Sequence, residues 1–359
     1  MEGSRVFKLV IQSHKGPYTV FFQHDFERLT NLTPENKHIL IDKKVADLYE
    51  RELSNILNFP SVLQIDATEM NKSLDCFTKY VEHLVNSGVR RGHQLIAIGG
   101  GIIQDITCFL ASTMLRGLPW VFYPTTLLAQ ADSCIGSKSS INAAGTKNIL
   151  GTFTPPAEIF IHTKFLKTLQ ISEWQSGVGE MLKVHAIHHP KSFDQIAKDY
   201  EHIFKNIDVM NKYIFQSLEF KKILIEMDEF DQGPRNVMNY GHSFGHAIES
   251  ASNFAIPHGV AVTMGMDLAN YVAMKLGKTK KEHYQRMHSV LKQNYMDFKN
   301  IVIPKQPFFD ALKKDKKNTN TQLRLILPSE DGVINIGLYE NDSFFNNICC
   351  EYLDSISCS

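Results

Sequence analysis

Apolar residues in the first 165 positions fall into short dense runs, separated by stretches with helical spacing. His38-Ile-Leu-Ile-Asp42, Val62-Leu-Gln-Ile65, Leu95-Ile-Ala-Ile98 and Trp120-Val-Phe-Tyr123 each read as a strand, because a strand covered on both faces loses the apolar–polar alternation. Between them Val45–Leu57, Ser73–Ser87 and Asp105–Leu115 have the spacing of helices. Strand and helix alternating in this way predict a parallel sheet covered by helices. Ahead of it, Val6–Gln12 and Tyr18–Gln23 predict two strands joined through the turn-rich His14-Lys-Gly-Pro17.

Beyond Phe165 the pattern turns helical. Ser172 is a candidate cap for a helix from Glu173 past His185, and further helices fit Lys191–Ile203, Met210–Glu229, His242–Ser252, Ala261–Leu276 and Lys281–Asn294. A short β-rich return covers Gln322–Leu327 and Gly332–Ile336. The chain therefore reads as α/β, with a parallel-sheet nucleotide-type domain over residues 1–165 and a mostly α-helical domain over 166–359. The cleft between two such domains is the default active site.

Composition narrows the class. A chain of 359 residues supports two well-buried cores. Lys plus Arg and Asp plus Glu are equal at 38 each, so no global field recruits nucleic acid or an anionic membrane. The start lacks the apolar core of a secretion signal, and no apolar run reaches the length of a membrane span. Six cysteines without paired metal-binding spacing read as reduced thiols, which points to the cytoplasm. Cys349 and Cys350 receive no role.

The segment Asn239-Tyr-Gly-His-Ser-Phe-Gly-His-Ala-Ile-Glu249, followed by Pro257-His258-Gly259, carries the most chemistry. His242 and His246 are four apart and share a helix face, and His258 sits in the loop beyond. Three imidazoles and one carboxylate would suit a divalent metal, although helical histidine pairs also occur as plain surface. Glu180 and Lys183, three apart, are either a surface ion pair or groups facing a cavity. Their neighbours Gly177, Gly179, Met181, Leu182 and Val184 favour the cavity.

Gly99-Gly100-Gly101 follows a strand and precedes a helix, where a dinucleotide pyrophosphate or an ordinary tight turn fits equally. Asp105 is placed to cap that helix or reach a cofactor hydroxyl, and Thr125 and Thr126 bring hydroxyls to the same sheet edge. Asp132, Lys138, Lys147 and Asn148 occupy a Gly/Ser/Asn-rich stretch, read as an anion-binding loop over a merely solvated one. Lys221 and Arg235 are candidate anchors for a substrate carboxylate or phosphate, with solvated charges as the plain alternative.

Taken in order, these pieces resemble the 3-dehydroquinate synthase family of sugar-phosphate cyclases. The markers are Glu69-x-x-Lys72, Gly-Gly-Gly-x-x-x-Asp105, Arg116-Gly117, Pro124-Thr-Thr-Leu-Leu128, Asp132-Ser133, Lys138, Lys147-Asn148, Glu180-x-x-Lys183, Lys221, Arg235, Asn239-x-Gly-His-x-Phe-Gly-His246, His258-Gly259 and Asp315-Lys-Lys-Asn318. The resemblance implies a Rossmann-like NAD-binding domain followed by a helical metal- and substrate-binding domain. It implies an NAD set of Glu69, Lys72, Gly100, Gly101, Asp105, Thr125 and Thr126, with Asp132, Lys138 and Lys147 also at the cofactor. It places zinc, or another divalent ion such as cobalt, on Glu180, His242 and His258. That moves His246 from the metal to the substrate, beside Asp132, Lys138, Lys147, Asn148, Lys183, Lys221, Arg235, Asn239 and a lysine of Lys316-Lys317. It also implies a homodimer in which Arg116 reaches a phosphate in the neighbouring subunit. The implied reaction is a closed redox cycle: NAD oxidises a hydroxyl, phosphate is eliminated, the hydride returns, and an aldol step closes a carbocycle.

Lys221, Arg235 and Asn239 favour a substrate with a carboxylate, 3-deoxy-arabino-heptulosonate 7-phosphate. Against this stand Gln104 where glycine is usual, Gly136-Ser-Lys-Ser-Ser-Ile-Asn142 in the lysine segment, Val260 where glutamate usually follows His-Gly, and the unusual Lys183-Val-His-Ala-Ile-His-His-Pro190. These leave open a paralogue acting on sedoheptulose 7-phosphate or glucose 6-phosphate. A metal-dependent NAD alcohol or polyol dehydrogenase shares the architecture and is the alternative of another class.

Overall fold

The structure is a computed structural model that describes residues 7–23, 25–314, 318 and 322–357. Val6, Asp315, Lys316 and Lys317, named above, lie outside the described residues. The chain forms two compact units, Met1–Leu169 with Lys222–Asp231, and Gln170–Lys221 with Gln232–Ser359.

The first unit holds β1 (Lys8–Ile11), β2 (Tyr18–Gln23), α1 (Glu27–Thr30), β3 (Lys37–Asp42), α2 (Lys43–Leu48), α3 (Ser54–Leu57), β4 (Leu63–Ile65), α4 (Leu74–Asn86), β5 (Gln94–Gly99), α5 (Gly101–Thr113), β6 (Trp120–Pro124), β7 (Lys138–Ala143), β8 (Thr146–Phe153) and β9 (Glu158–His162). Seven strands make one sheet in the order β1-β2-β9-β6-β5-β3-β4. Only β1–β2 is antiparallel; the other pairings are parallel. The apolar runs of β3, β5, β6 and β9 are buried almost throughout, as a sheet covered on both faces requires. Ile39, Ile41, Ile96, Ile98, Val121, Tyr123 and Phe160 pack with Tyr49, Leu53, Ile56 and Phe165 in one core.

Local structure departs from the pattern in instructive places. Val45–Leu57 is two short helices, α2 and α3, because Tyr49 ends the first and its hydroxyl is fastened to the Lys164 carbonyl (2.9 Å) and Thr168 Oγ1 (3.1 Å). The stretch from Lys138 to Asn148 is not an open loop but the hairpin β7–β8, with nearly every residue of β8 exposed. Helix α5 begins at Gly101, so Asp105 lies in its second turn and caps nothing.

The second unit contains α6 (Ile171–His188), α7 (Pro190–Lys198), α8 (Tyr200–Lys205), α9 (Ile207–Met227), α10 (His242–Ala251), α11 (His258–Lys275), α12 (Lys281–Tyr295), α13 (Lys305–Lys313), the antiparallel pair β10 (Gln322–Pro328) and β11 (Ile334–Glu340), and α14 (Ser343–Ser357). From Lys222 onward α9 counts with the first unit. Gln170, not Ser172, is the N-cap of α6, and its backbone N–H donates to the Glu173 carboxylate at 2.9 Å. The helix expected over Lys191–Ile203 breaks at Asp199, whose carboxylate accepts the Tyr213 hydroxyl at 2.6 Å. Cys349 is buried on α14. No described helix is long and apolar enough to cross a membrane.

Helix α11 is the axis of this unit: every residue from Gly259 to Asn270 is buried. Its first turn lies against α6, backbone on backbone. A Cβ at Gly259 would overlap the Ser176 carbonyl, and one at Gly179 would overlap the Gly259 carbonyl. Only glycine permits that approach, and it brings Glu180, next to Gly179, within reach of His258, next to Gly259.

Candidate functional site

Glu180 and Lys183 lie on α6 and are 1% and 2% exposed, which removes the surface-pair alternative. The Lys183 ammonium is paired with Glu180 Oε2. Glu180 Oε1 stands 3.2 Å from His258 Nε2 and 3.6 Å from His242 Nε2. His242 opens α10 after Gly241, whose φ of +77° is a left-handed turn suited to glycine. His258 opens α11 rather than sitting in the preceding loop, because Pro257 already holds the N-cap position.

A tetrahedral metal with ligands about 2.0–2.1 Å away has ligand–ligand edges of about 3.3–3.4 Å. The two distances from Glu180 Oε1, to His258 Nε2 and to His242 Nε2, are close to such edges, so the carboxylate and the two imidazoles are spaced as donors to a divalent ion would be. Neither Glu180 oxygen, though buried, receives a hydrogen bond of ordinary geometry among the described residues. The far sides of both rings are also held: His242 Nδ1 is 3.3 Å from the Tyr240 carbonyl, and His258 Nδ1 is 3.2 Å from Glu249 Oε2. Such contacts fix which ring nitrogen faces a metal. His246 joins the group, since ligand atoms of His242, His246 and His258 all lie within 4.8 Å of one another.

The charges are tightly balanced. Burial would raise the Glu180 carboxyl, but Lys183 and then the two imidazoles hold it well below the usual carboxylate range. Burial and Lys183 keep His242 well below the ordinary histidine value. Burial also pulls His258 down, but its contacts with Glu180 and Glu249 outweigh that and push it up to about 10. Lys221 and Arg235 of this unit are 7% and 6% exposed, so neither is a solvated charge. Arg235 and Asn239 share the 3-10 turn Pro234–Asn239, where Asn239 donates to the Asn236 carbonyl at 3.0 Å.

In the first unit, four of the expected residues form one network. Lys72, 6% exposed, puts its ammonium 3.1 Å from Asp105 Oδ2, 2.9 Å from Asn148 Oδ1 and 3.5 Å from Glu69 Oε1. Asp105 also accepts the Ser140 N–H at 3.1 Å, and burial raises its carboxyl despite Lys72. Gly100 caps α5 against Thr126, whose Cγ2 would lie 2.9 Å from an added Cβ. The Thr125 N–H donates to the Gly99 carbonyl at 2.9 Å. Asp132 sits in a single π-helical turn, Ala129–Ser133. Lys138, at the start of β7, is paired with Asp231, while Lys147 and Arg116 are exposed.

Glu249 and Asp231 were not among the expected residues. Glu249 lies one turn after His246 on α10, and Asp231 ends the acidic run Asp228-Glu-Phe-Asp231 just before Arg235. Neither has a spacing that sets it apart from helix-surface charge.

Solved structures share this architecture. The structure of 2-deoxy-scyllo-inosose synthase with carbaglucose-6-phosphate, NAD+ and Co2+ aligns with a TM-score of 0.81 at 20% identity, covering 96% of this chain and 100% of that one. The 2-epi-5-epi-valiolone synthase of Streptomyces hygroscopicus subsp. jinggangensis 5008, with NAD+ and Zn2+ bound, aligns with a TM-score of 0.79 at 23% identity, covering 95% and 96%. Both likenesses describe the fold. In sequence, the family described as 3-dehydroquinate synthase matches with its N-terminal part over residues 62–176 and its C-terminal part over residues 177–318. The 3-dehydroquinate synthase of Dictyoglomus thermophilum is 36% identical over 300 residues, 83% of this chain and 84% of that protein. The chain belongs to the 3-dehydroquinate synthase family.

Proposed function

We propose that the chain is a 3-dehydroquinate synthase, a carbon–oxygen lyase converting 3-deoxy-arabino-heptulosonate 7-phosphate to 3-dehydroquinate and phosphate. The observation that carries this reading is that one unit holds both the Glu180, His242 and His258 cluster and the buried cations Lys221 and Arg235. A substrate that carries a carboxylate as well as a phosphate offers an anion to each of the two buried cations of that unit.

Glu180, His242 and His258 hold the metal, and Glu69, Lys72, Gly100, Gly101, Asp105, Thr125 and Thr126 hold NAD, with Asp132, Lys138 and Lys147 at its reacting end. When bound, the divalent ion supplies Lewis acidity at the substrate hydroxyls and NAD supplies a reversible hydride acceptor. Lys221 and Arg235 fix the substrate anions, a task suited to the fork of a guanidinium. Asn239 and Asn148 orient hydroxyls, and Lys183 keeps Glu180 ionised. His246, beside the metal donors and exposed, is placed to hold or pass a proton at the substrate. The family resemblance also assigns a lysine of Lys316-Lys317, outside the described residues, to the substrate. Arg116, exposed and at a φ of +68°, is the residue we assign to a second copy in a homodimer, since strain of this kind persists where a contact uses it. The free cysteines among the described residues agree with the cytoplasm.

Purified protein supplied with Zn2+ and NAD is tested by phosphate release from the three sugar phosphates named above. Turnover of the heptulosonate is expected. Release from sedoheptulose 7-phosphate or glucose 6-phosphate alone would assign the chain to a paralogous cyclase.

A further inference from the structure

Position 104 carries glutamine where the family pattern has glycine, and the structure shows what that side chain does. Gln104 is 5% exposed on α5, one turn beyond the glycines. Both ends of its amide are used on a single residue: Nε2 donates to the Ser133 carbonyl at 2.7 Å, and Oε1 accepts the Ser133 hydroxyl at 2.8 Å. Ser133 closes the π-helical turn that carries Asp132.

The other end of that turn is tied to the same helix. Thr126 Oγ1 accepts the Ala129 N–H at 3.2 Å, and the Thr126 methyl lies against Gly100 at the start of α5. In between, Gln130 is held to the sheet by the carbonyls of Pro124 (3.0 Å) and His162 (2.9 Å). A single π-helical turn is an uncommon backbone form, frequently found at functional sites. Here Thr126 on Gly100 and Ser133 on Gln104 clamp it to α5 at two points.

We propose that Gln104 is a positioning residue for the dinucleotide, fixing the turn that carries Asp132 against the glycine turn of α5. The proposal rests on the assignment of NAD to this unit. Two cofactor-binding segments held at their bound spacing have less ordering to lose on binding. Methionine at 104 keeps the volume and loses both bonds. Glutamate keeps the acceptor and sets a carboxylate against the Ser133 carbonyl. Glycine restores the family residue without the clamp.

The test is the dissociation constant for NAD, by calorimetry on the purified full chain, with thermal melts in parallel. The set is wild type, Gln104→Met, Gln104→Gly, Asp132→Asn and the Gln104→Met/Asp132→Asn pair. We expect both single substitutions at 104 to weaken NAD about tenfold, the size of one lost well-placed hydrogen-bond pair. We expect kcat to be recovered at saturating NAD, and Gln104→Met to cost less than about twofold once Asp132 is already changed. A merely structural glutamine would lower the melting temperature and leave the dissociation constant of the folded protein unchanged. That outcome, or an equal loss with and without Asp132, overturns the proposal. Failure of the wild type to bind NAD would instead sink the cofactor assignment itself.

Discussion

Replacing Glu180 by glutamine tests the charge balance of the buried cluster apart from any turnover. The substitution keeps shape and removes one negative charge from a place that is 1% exposed. Lys183, 2% exposed and paired with that carboxylate, then loses the charge of that partner in the interior. Breaking a buried pair from one side typically costs about 3–5 kcal/mol. A unit of this size loses about 2–4 °C per kcal/mol, so a fall of roughly 10 °C is expected. The measurement is thermal and urea unfolding followed by circular dichroism, with a chelator present so that metal affinity plays no part. Changing Lys183 to methionine in the same molecule removes the other half of the pair, and the double variant should regain most of the loss. A Glu180→Gln protein melting within about 1 °C of wild type, or a double variant no better than the single, would refute the account.

Other outcomes follow from the same structure. Gly259→Ala places a Cβ on the Ser176 carbonyl and should cost about 1–3 kcal/mol while weakening Zn2+ binding in chelator competition, since His258 is the adjacent residue. Zn2+ at one hundred times its dissociation constant should stabilise the metal-free protein by about 2.7 kcal/mol, and Glu180→Gln should abolish the shift. His185 is buried, and burial pushes its imidazole from 6.5 down to about 4. Its folded value being depressed, the unfolded chain takes up the proton first. The neutral ring's stabilisation is therefore intact above pH 6.5 and is lost as pH falls toward 4, about 3 kcal/mol in all. Urea unfolding of His185→Gln should show a pH dependence flatter than wild type by that amount.

The legible parts of this protein were those where a local rule and the tertiary structure agree. Leu95–Ile98 and Trp120–Tyr123 are buried on both faces, so their unbroken apolar runs announced strands. The hairpin β7–β8 was hidden because its strands are rich in Ser, Asn and Lys and β8 faces solvent, so no alternation marks it. β9, only five residues long with Glu158 and His162 at its ends, offers just three apolar residues in a row and passed unmarked. At the proposed metal donors, helical spacing pointed to His242 with His246. The structure also brings His258, sixteen positions on, to the same Glu180 oxygen as His242, and keeps ligand atoms of all three histidines within 4.8 Å of one another. No periodicity could show that, because the contact depends on two helix backbones meeting at Gly179 and Gly259. Gln104 looked like an irregularity of the glycine turn until Ser133 was placed beside it.

The place of β9 in the sheet also sets an order of assembly. The β1–β2 hairpin meets the rest of the sheet only through β9, which pairs with β2 on one side and β6 on the other. Thr19 and its partner Glu158 are roughly 140 residues apart, a closure of high contact order and therefore slow. On the ribosome, the first strands made must wait, with an open edge, while β3 to β6 zip together beside the vacant lane. Emergence of Glu158–His162 fills that lane and joins the two parts, so this five-residue strand is where the sheet becomes one body.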